Sequence, residues 1–206
     1  MNNSISRSKP LPLMEAFYTL QGEGHHAGRA AYFIRLGGCD VGCHWCDVKE
    51  SWDGDAHPKT TVSQIVADAI LQPARLAVIT GGEPLMYDLT ELTDELLSEQ
   101  FETNIETSGV YEVTGSWDWI CFSPKKFKKP HQSIYVQANE LKVVIYNKSD
   151  FEFAETHAAL VGPSCILALQ PEWSKIEEML PLIIDYIKQN PRWRMSLQSH
   201  KYMQIP

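Results

Sequence analysis

Gly37-Gly38-Cys39-Asp40-Val41-Gly42-Cys43-His44-Trp45-Cys46-Asp47 is the stretch around which the rest of the chain is organised. Its three cysteines stand in a C-x3-C-x2-C spacing, with two glycines in front and one inside, so the backbone can bend tightly around a ligand. Three thiolates held this close together need a positive centre. Zinc, an iron–sulfur cluster, or a disulfide with a bystander thiol would each meet that need. Structural zinc is closed by four ligands, usually as two separated pairs. Here the other cysteines, Cys121 and Cys165, are remote and solitary, and His44 sits inside the loop, where it closes a tetrahedron awkwardly. A cubane cluster normally takes four cysteines. With three, one iron stays open, and an open iron can bind a small molecule. Trp45, between two of the cysteines, would shield such a centre from water.

Composition narrows the class. The chain has 206 residues, 44% of them hydrophobic, which suffices for one domain with a sizeable core. Residues 1–10 are polar, lack an apolar signal-type run and read as a flexible tail, leaving 11–206 as a single domain. No apolar run approaches the length of a membrane span. Five cysteines, three of them clustered, do not make a disulfide framework, and a reducing, cytoplasmic setting suits an oxygen-sensitive cluster. A net charge of −8 argues against a nucleic-acid surface, and the lysines at 125, 126, 128 and 129 are too few to reverse it.

Outward from the cysteine loop, apolar runs alternate with helical stripes. Residues 13–20 read as a strand leading into Gln21-Gly22-Glu23-Gly24, which is either a tight hairpin turn or a backbone segment wrapped around a polar ligand. Residues 30–36 form an apolar strand with one charge, Arg35, whose planar fork suits a carboxylate, from a ligand or from a structural salt bridge. Thr61 and Gln64 make a capping box for a helix over 62–71. The strand over 76–79 runs into Thr80-Gly81-Gly82-Glu83-Pro84, and a helix over 90–99 turns Leu92, Leu96 and Leu97 inward. Further strands end at Glu106, at Ser123-Pro124-Lys125 and at Gln170, and another is expected over 140–146. A helix over 151–159 and a stripe at Ile176, Leu180, Ile183, Ile184 and Ile187 follow. Ser174 and Glu177 offer that stripe a cap, and Pro181 predicts a late start or a kink. A strand over 194–197 closes the pattern before Gln198-Ser199-His200-Lys201.

This is an α/β chain with about six core parallel strands and polar residues at their C-terminal ends, where α/β sheets and barrels build sites. Fewer than eight β/α units predict an incomplete TIM-like barrel. Several linkers are too short for a helix, and the open edges suit a covering partner, so a homodimer is expected.

The C-x3-C-x2-C loop, with Gly81-Gly82-Glu83-Pro84 following about forty residues on, resembles the radical S-adenosylmethionine (SAM) superfamily. The full set of motifs is similar to one family within it, the 7-carboxy-7-deazaguanine synthases of queuosine biosynthesis. These motifs are Tyr18-Thr19-Leu20-Gln21-Gly22-Glu23-Gly24, Phe33-Ile34-Arg35-Leu36, Glu106-Thr107-Ser108-Gly109, Ser123-Pro124-Lys125, Leu169-Gln170-Pro171 and Gln198-Ser199-His200-Lys201. The resemblance implies a lyase that converts 6-carboxy-5,6,7,8-tetrahydropterin to 7-carboxy-7-deazaguanine with loss of ammonia. It implies abstraction of the C6 hydrogen by a 5′-deoxyadenosyl radical, then ring contraction and regeneration of SAM. An electron donor such as flavodoxin is implied as well.

The same resemblance assigns roles. Cys39, Cys43 and Cys46 would hold a [4Fe–4S] cluster. Trp45, Asp47, Gly82, Glu83, Ser108, Ser123, Pro124 and Lys125 would contact SAM. Leu20, Gln21, Gly22, Glu23, Thr80, Gln170 and, more weakly, Glu106 would line the pterin edge. Arg35 would take the substrate carboxylate, and His200 and the carboxylate of Pro206 would reach the guanidine-like edge. One position departs from the family, where a Thr or Ser hydroxyl two residues after the last cysteine binds Mg²⁺. Here it is Val48, so weak or absent Mg²⁺ dependence is expected.

Overall fold

A computed structural model describes residues 9–206. The expected tail therefore lies outside the described residues over 1–8. The described chain builds one nine-stranded sheet from β1 (Leu11–Leu20), β2 (Ala30–Leu36), β3 (Lys59–Thr60), β4 (Leu76–Gly81), β5 (Glu102–Thr107), β6 (Trp119–Phe122), β7 (Glu140–Ile145), β8 (Ile166–Pro171) and β9 (Trp193–Met195). The spatial order is β3-β1-β2-β4-β5-β6-β7-β8-β9. From β2 onward every neighbouring pair is parallel, while β1 is antiparallel to both β2 and β3. The parallel set thus counts one more strand than the polar strand ends suggest. The extra one is β7, whose C-terminal end carries only apolar residues.

The sheet is rolled. β1 and β9 are seven places apart in strand order, which on a flat sheet is about 34 Å. Yet the Gly24 amide donates to Ser196 Oγ over 3.0 Å, and the Ser199 amide donates to Gly22 O over 2.9 Å. The loop after β1 and the segment after β9 therefore meet, and no strand pairing closes the gap beside them among the described residues. This is the incomplete barrel.

Period-two alternation divides the side chains between its two surfaces. Outside, Ile34, Leu36, Ile79, Ile105, Phe122, Leu141, Val143 and Leu169 pack in one core with all the helices but the last, which buries no residue. The helices are α1 (Val62–Ile70), α2 (Thr90–Ser98), α3 (Ser133–Gln137), α4 (Ser149–Ala158), α5 (Ile176–Gln189) and α6 (Ser199–Met203). Fully burying one such aliphatic side chain is worth roughly 1.5–3 kcal/mol, so this layer carries the stability and frees the inner face for polar groups. Inside, Ala31, Phe33, Leu76 and Val78 form a second small cluster with Phe17. Opposite them the inner wall is charged.

Four local expectations are corrected. Leu97 is 37% exposed, and Thr93 takes the buried place on α2 by donating to Leu89 O. Ile184 is 44% exposed, because α5 buries Met179 and Ile183 instead. Ser174 does not cap α5: its hydroxyl donates to Glu172, and a 3-10 turn over Trp173–Lys175 leads into a helix that runs through Pro181. The capping box of α1 is half made. Thr61 Oγ1 accepts from the Gln64 amide at 3.3 Å, while the Gln64 side chain turns to Asp68. The crossover from β5 to β6 is a loop, as its length suggests.

Candidate functional site

At the C-terminal ends of the strands lies a cleft of about 270 Å³. One wall is the cysteine loop. Cys39, Cys43 and Cys46 are free thiols and all three line the cleft. Burial pushes the Cys43 thiol up to about 11 and raises Cys39 as well.

The loop is shaped by its contacts. Gly38 has φ +100° and Gly42 φ +77°, both favouring glycine. The Glu83 amide donates to Gly38 O at 2.8 Å and the Gly82 amide to Leu36 O at 2.9 Å, which presses the Gly81-Gly82-Glu83-Pro84 turn onto the cysteine loop. A Cβ on Gly82 would overlap Gly38 O and lie 2.8 Å from Cys39 Cβ.

Three free thiols on one loop fit the ligand set of a cubane with one open iron. Among the described residues no three His, Cys, Asp or Glu side chains converge on one metal position. A cubane does not need that convergence, since each thiolate takes its own iron. His44, the zinc alternative's fourth ligand, packs edge-on to Phe127 and Tyr146 instead.

The opposite wall is a hydrogen-bonded chain. Lys142 Nζ lies 2.5 Å from Glu23 Oε2 and 3.0 Å from Glu106 Oε2. Gln21 Nε2 donates to Glu106 Oε1 at 2.8 Å, and Gln198 Nε2 donates to Glu23 Oε1 at 2.8 Å. Burial alone would raise the Glu23 carboxyl, but the Lys142 cation and the Gln198 and Gln170 side chains outweigh it and hold it at about 2. Burial works against the Lys142 charge too, yet Glu106 and Glu23 hold it well above the ordinary lysine range. Beside them Ser196 Oγ donates to Gln170 Oε1 at 2.7 Å.

Between the walls, Lys125 Nζ donates to Ser123 Oγ at 2.6 Å and sits 5.4 Å from the Trp45 ring centre. Burial lowers the Lys125 pKa. His200 lies against Gly22, where any Cβ would meet its ring, and burial favours its neutral form.

The comparisons with known proteins agree with this geometry. A Radical SAM superfamily model matches residues 33–119, the span from β2 to the start of β6. A 7-carboxy-7-deazaguanine synthase of Flavobacterium psychrophilum is 59% identical over 98% of this chain and 96% of its own. One from Synechocystis sp. is 48% identical over 94% of this chain and 93% of its own. The crystal structure of QueE from Escherichia coli superposes with a TM-score of 0.81 at 34% identity, covering 93% of this chain and 95% of that one. The chain belongs to the 7-carboxy-7-deazaguanine synthase family.

In this family member nearly all the residues singled out in the sequence line the one cleft. Leu20, Gln21, Gly22, Glu23, Arg35, Thr80, Glu106, Gln170, His200 and Pro206 do, as do Trp45, Asp47, Gly82, Ser108, Ser123 and Lys125. Two do not. Pro124 lies in a separate small pocket with His44 and Phe127. Glu83 is 1% exposed and does not line the cleft. Its Oε1 accepts from the Leu85 amide at 3.1 Å and Thr107 Oγ1 at 2.5 Å, and its Oε2 from the Ser108 amide at 2.8 Å and the Ser108 hydroxyl. The carboxylate is a strut between the ends of β4 and β5.

Arg35 is already engaged, with Nε donating to Glu15 Oε1 at 2.6 Å, the structural salt bridge. Its terminal nitrogens make no hydrogen bond among the described residues. Val48 lines the cleft and brings no side-chain oxygen, while Asp47 is paired with Lys201 at 3.0 Å.

Sequence reasoning missed Lys142, Gln198 and Ser196. The signal for Lys142 was present: in Glu140-Leu141-Lys142-Val143-Val144-Ile145, Leu141, Val143 and Ile145 take the helix-facing side, which turns Glu140 and Lys142 inward.

Proposed function

We propose that this protein converts 6-carboxy-5,6,7,8-tetrahydropterin to 7-carboxy-7-deazaguanine with release of ammonia. The observation that carries the reading is one cleft with two unlike walls: three free thiols on one side, and the Gln21–Glu106–Lys142–Glu23–Gln198 chain on the other. A [4Fe–4S] cluster on Cys39, Cys43 and Cys46 and a bound SAM would supply the adenosyl radical chemistry.

The chain's own residues bind and orient. Glu23 and Glu106 face the cleft as acceptors for the N–H donors of a pterin edge, with Gln170 beside them. The free end of the Arg35 fork is aimed at the substrate carboxylate, and fixing that group beside the reacting carbon holds the ring for hydrogen abstraction. Lys125, Ser123, Trp45, Asp47, Gly82 and Ser108, between the walls, form the SAM side. Glu83 serves that side indirectly, by holding Ser108 and the glycine turn in place. His200 and the carboxylate of Pro206, which also line the cleft, would take the guanidine-like edge of the pterin.

Mg²⁺ dependence is weak in this reading, because Val48 brings no side-chain oxygen to the cleft. Partners are an electron donor such as flavodoxin and a second copy of the chain against the edge of β1, which β3 pairs only at Leu11 and Pro12. Among the described residues no helix is long and apolar enough to cross a membrane, and an oxygen-sensitive cluster on Cys39, Cys43 and Cys46 suits a reducing, cytoplasmic setting. The test is anaerobic: reconstituted protein, SAM, reductant and 6-carboxytetrahydropterin, with the product identified by mass.

A further inference from the structure

We propose that Lys142 is the positioning residue of the substrate wall, holding Glu23 and Glu106 together as a pair of anionic acceptors for the N–H edge of the substrate. The inference deepens the pterin reading and rests on it.

Lys142 stands on β7, and its side chain is 3% exposed. The two carboxylates it bridges come from distant parts of the chain: Glu23 from the loop after β1, Glu106 from the end of β5. Among the described residues it is their sole ion-pair partner. Each carboxylate spends one oxygen on Lys142. The other accepts from a side-chain amide, Gln198 for Glu23 and Gln21 for Glu106. An ionised carboxylate has about four acceptor positions, so each keeps capacity to spare. Glu23 and Glu106, 15% and 21% exposed, lie nearer the cleft than Lys142 does. The substrate therefore meets acceptors, with the cation behind them.

Other titratable groups near Lys142 offer no replacement. Glu140, two residues earlier on the same face, is 2% exposed and its Oε1 has no partner among the described residues. The Cys121 thiol on β6 is buried and kept protonated. His200, after β9, is favoured neutral, and Lys125 bonds Ser123. Take away the Lys142 charge and Glu23 and Glu106 lose the cation paired with them, with the buried Glu140 two residues away on the same strand. Carboxylates that share a site without a cation between them raise one another's pKa, so one takes up a proton more readily. A protonated carboxyl then presents a donor where the substrate also presents one.

The test is steady-state kinetics of reconstituted wild-type, Lys142→Met and Lys142→Arg enzymes on 6-carboxytetrahydropterin, from about pH 6 to about pH 9, with SAM binding and cluster absorbance measured alongside. Wild-type KM is expected to be flat across this range. Lys142→Met is expected to raise KM by about tenfold or more, most at the acid end, with kcat changed far less and with SAM binding and cluster absorbance intact. Lys142→Arg, which keeps the charge, is expected to recover the flat profile.

If Lys142→Met does not fold, Lys142→Gln, which keeps a hydrogen-bond donor but not the charge, carries the same expected rise in KM. A Lys142→Met enzyme with wild-type KM and pH profile overturns the proposal. So does a loss shared equally by kcat and SAM binding, which would mark a merely structural lysine. A wild-type enzyme that fails to turn over the pterin at all sinks the underlying reading instead.

Discussion

The Ser108 amide, just past the end of β5, donates over 2.8 Å to the Glu83 carboxylate at the end of β4. With Thr107, the Ser108 hydroxyl and the Leu85 amide, it accounts for both oxygens of a side chain that is 1% exposed. Hydrogen bonds to a buried charge are worth about 1.5–3 kcal/mol each, and an orphaned donor costs more than a solvated one. Glu83→Ala is therefore expected to lower stability by about 3 kcal/mol or more in urea unfolding, and Glu83→Gln by less. Loss of SAM affinity at wild-type stability would show that the carboxylate works on the ligand instead.

Gly82→Ala tests how the glycine turn meets the cysteine loop. The added Cβ would overlap Gly38 O and crowd Cys39. The expected result is a folded protein that binds clearly less iron per chain on reconstitution. Gly81→Ala should be worse, since Gly81 has φ +149° and its Cβ would overlap Leu36 O. Here little soluble protein is expected. Full iron content in Gly82→Ala would contradict the close contact.

The Glu23–Lys142–Glu106 trio predicts a pH dependence of stability. Glu23 falls from 4.5 to about 2 on folding, so its contribution is complete above pH 4.5 and disappears as pH drops toward 2. Lys142 is raised on folding, so its contribution is complete below 10.5 and is lost as pH rises through its folded value. Urea midpoints should therefore hold a plateau between these limits as far as this trio is concerned. Glu23→Gln should weaken the acid-side fall. An acid limb of unchanged depth in Glu23→Gln would assign that loss to other carboxylates.

Val48 bears on metal removal. With an apolar side chain there, chelating Mg²⁺ is expected to change turnover by less than about threefold. Val48→Thr restores a hydroxyl and should make turnover more responsive to added Mg²⁺. Strong dependence in the unaltered enzyme would mean that substrate, water and backbone oxygens suffice to hold the ion.

Much of this architecture was legible in the chain because its signals are local. The apolar run of β2, the stripe of α1 and the glycine turn after β4 each announce themselves within a few residues. What stayed hidden depends on contacts across the fold. Nothing near Lys142 in sequence reveals the carboxylates 119 and 36 residues away that it joins. Glu83 follows a glycine turn that lines the cleft, yet burial and four donors make it a strut, and only the packed end of β5 decides that. The short helices α3 and α6, five residues each, are too brief to show a periodic stripe. Ser174 was available as a helix cap, but its hydroxyl found Glu172 first.

The most direct measurement is the anaerobic conversion itself. Reconstituted wild-type protein with SAM, dithionite and 6-carboxytetrahydropterin should yield 7-carboxy-7-deazaguanine, with SAM not consumed in proportion, and Cys39→Ala should abolish the product. Formation of 5′-deoxyadenosine without the deazapurine would keep the radical chemistry and contradict the substrate. Neither compound from a protein carrying a full cluster would contradict the account as a whole.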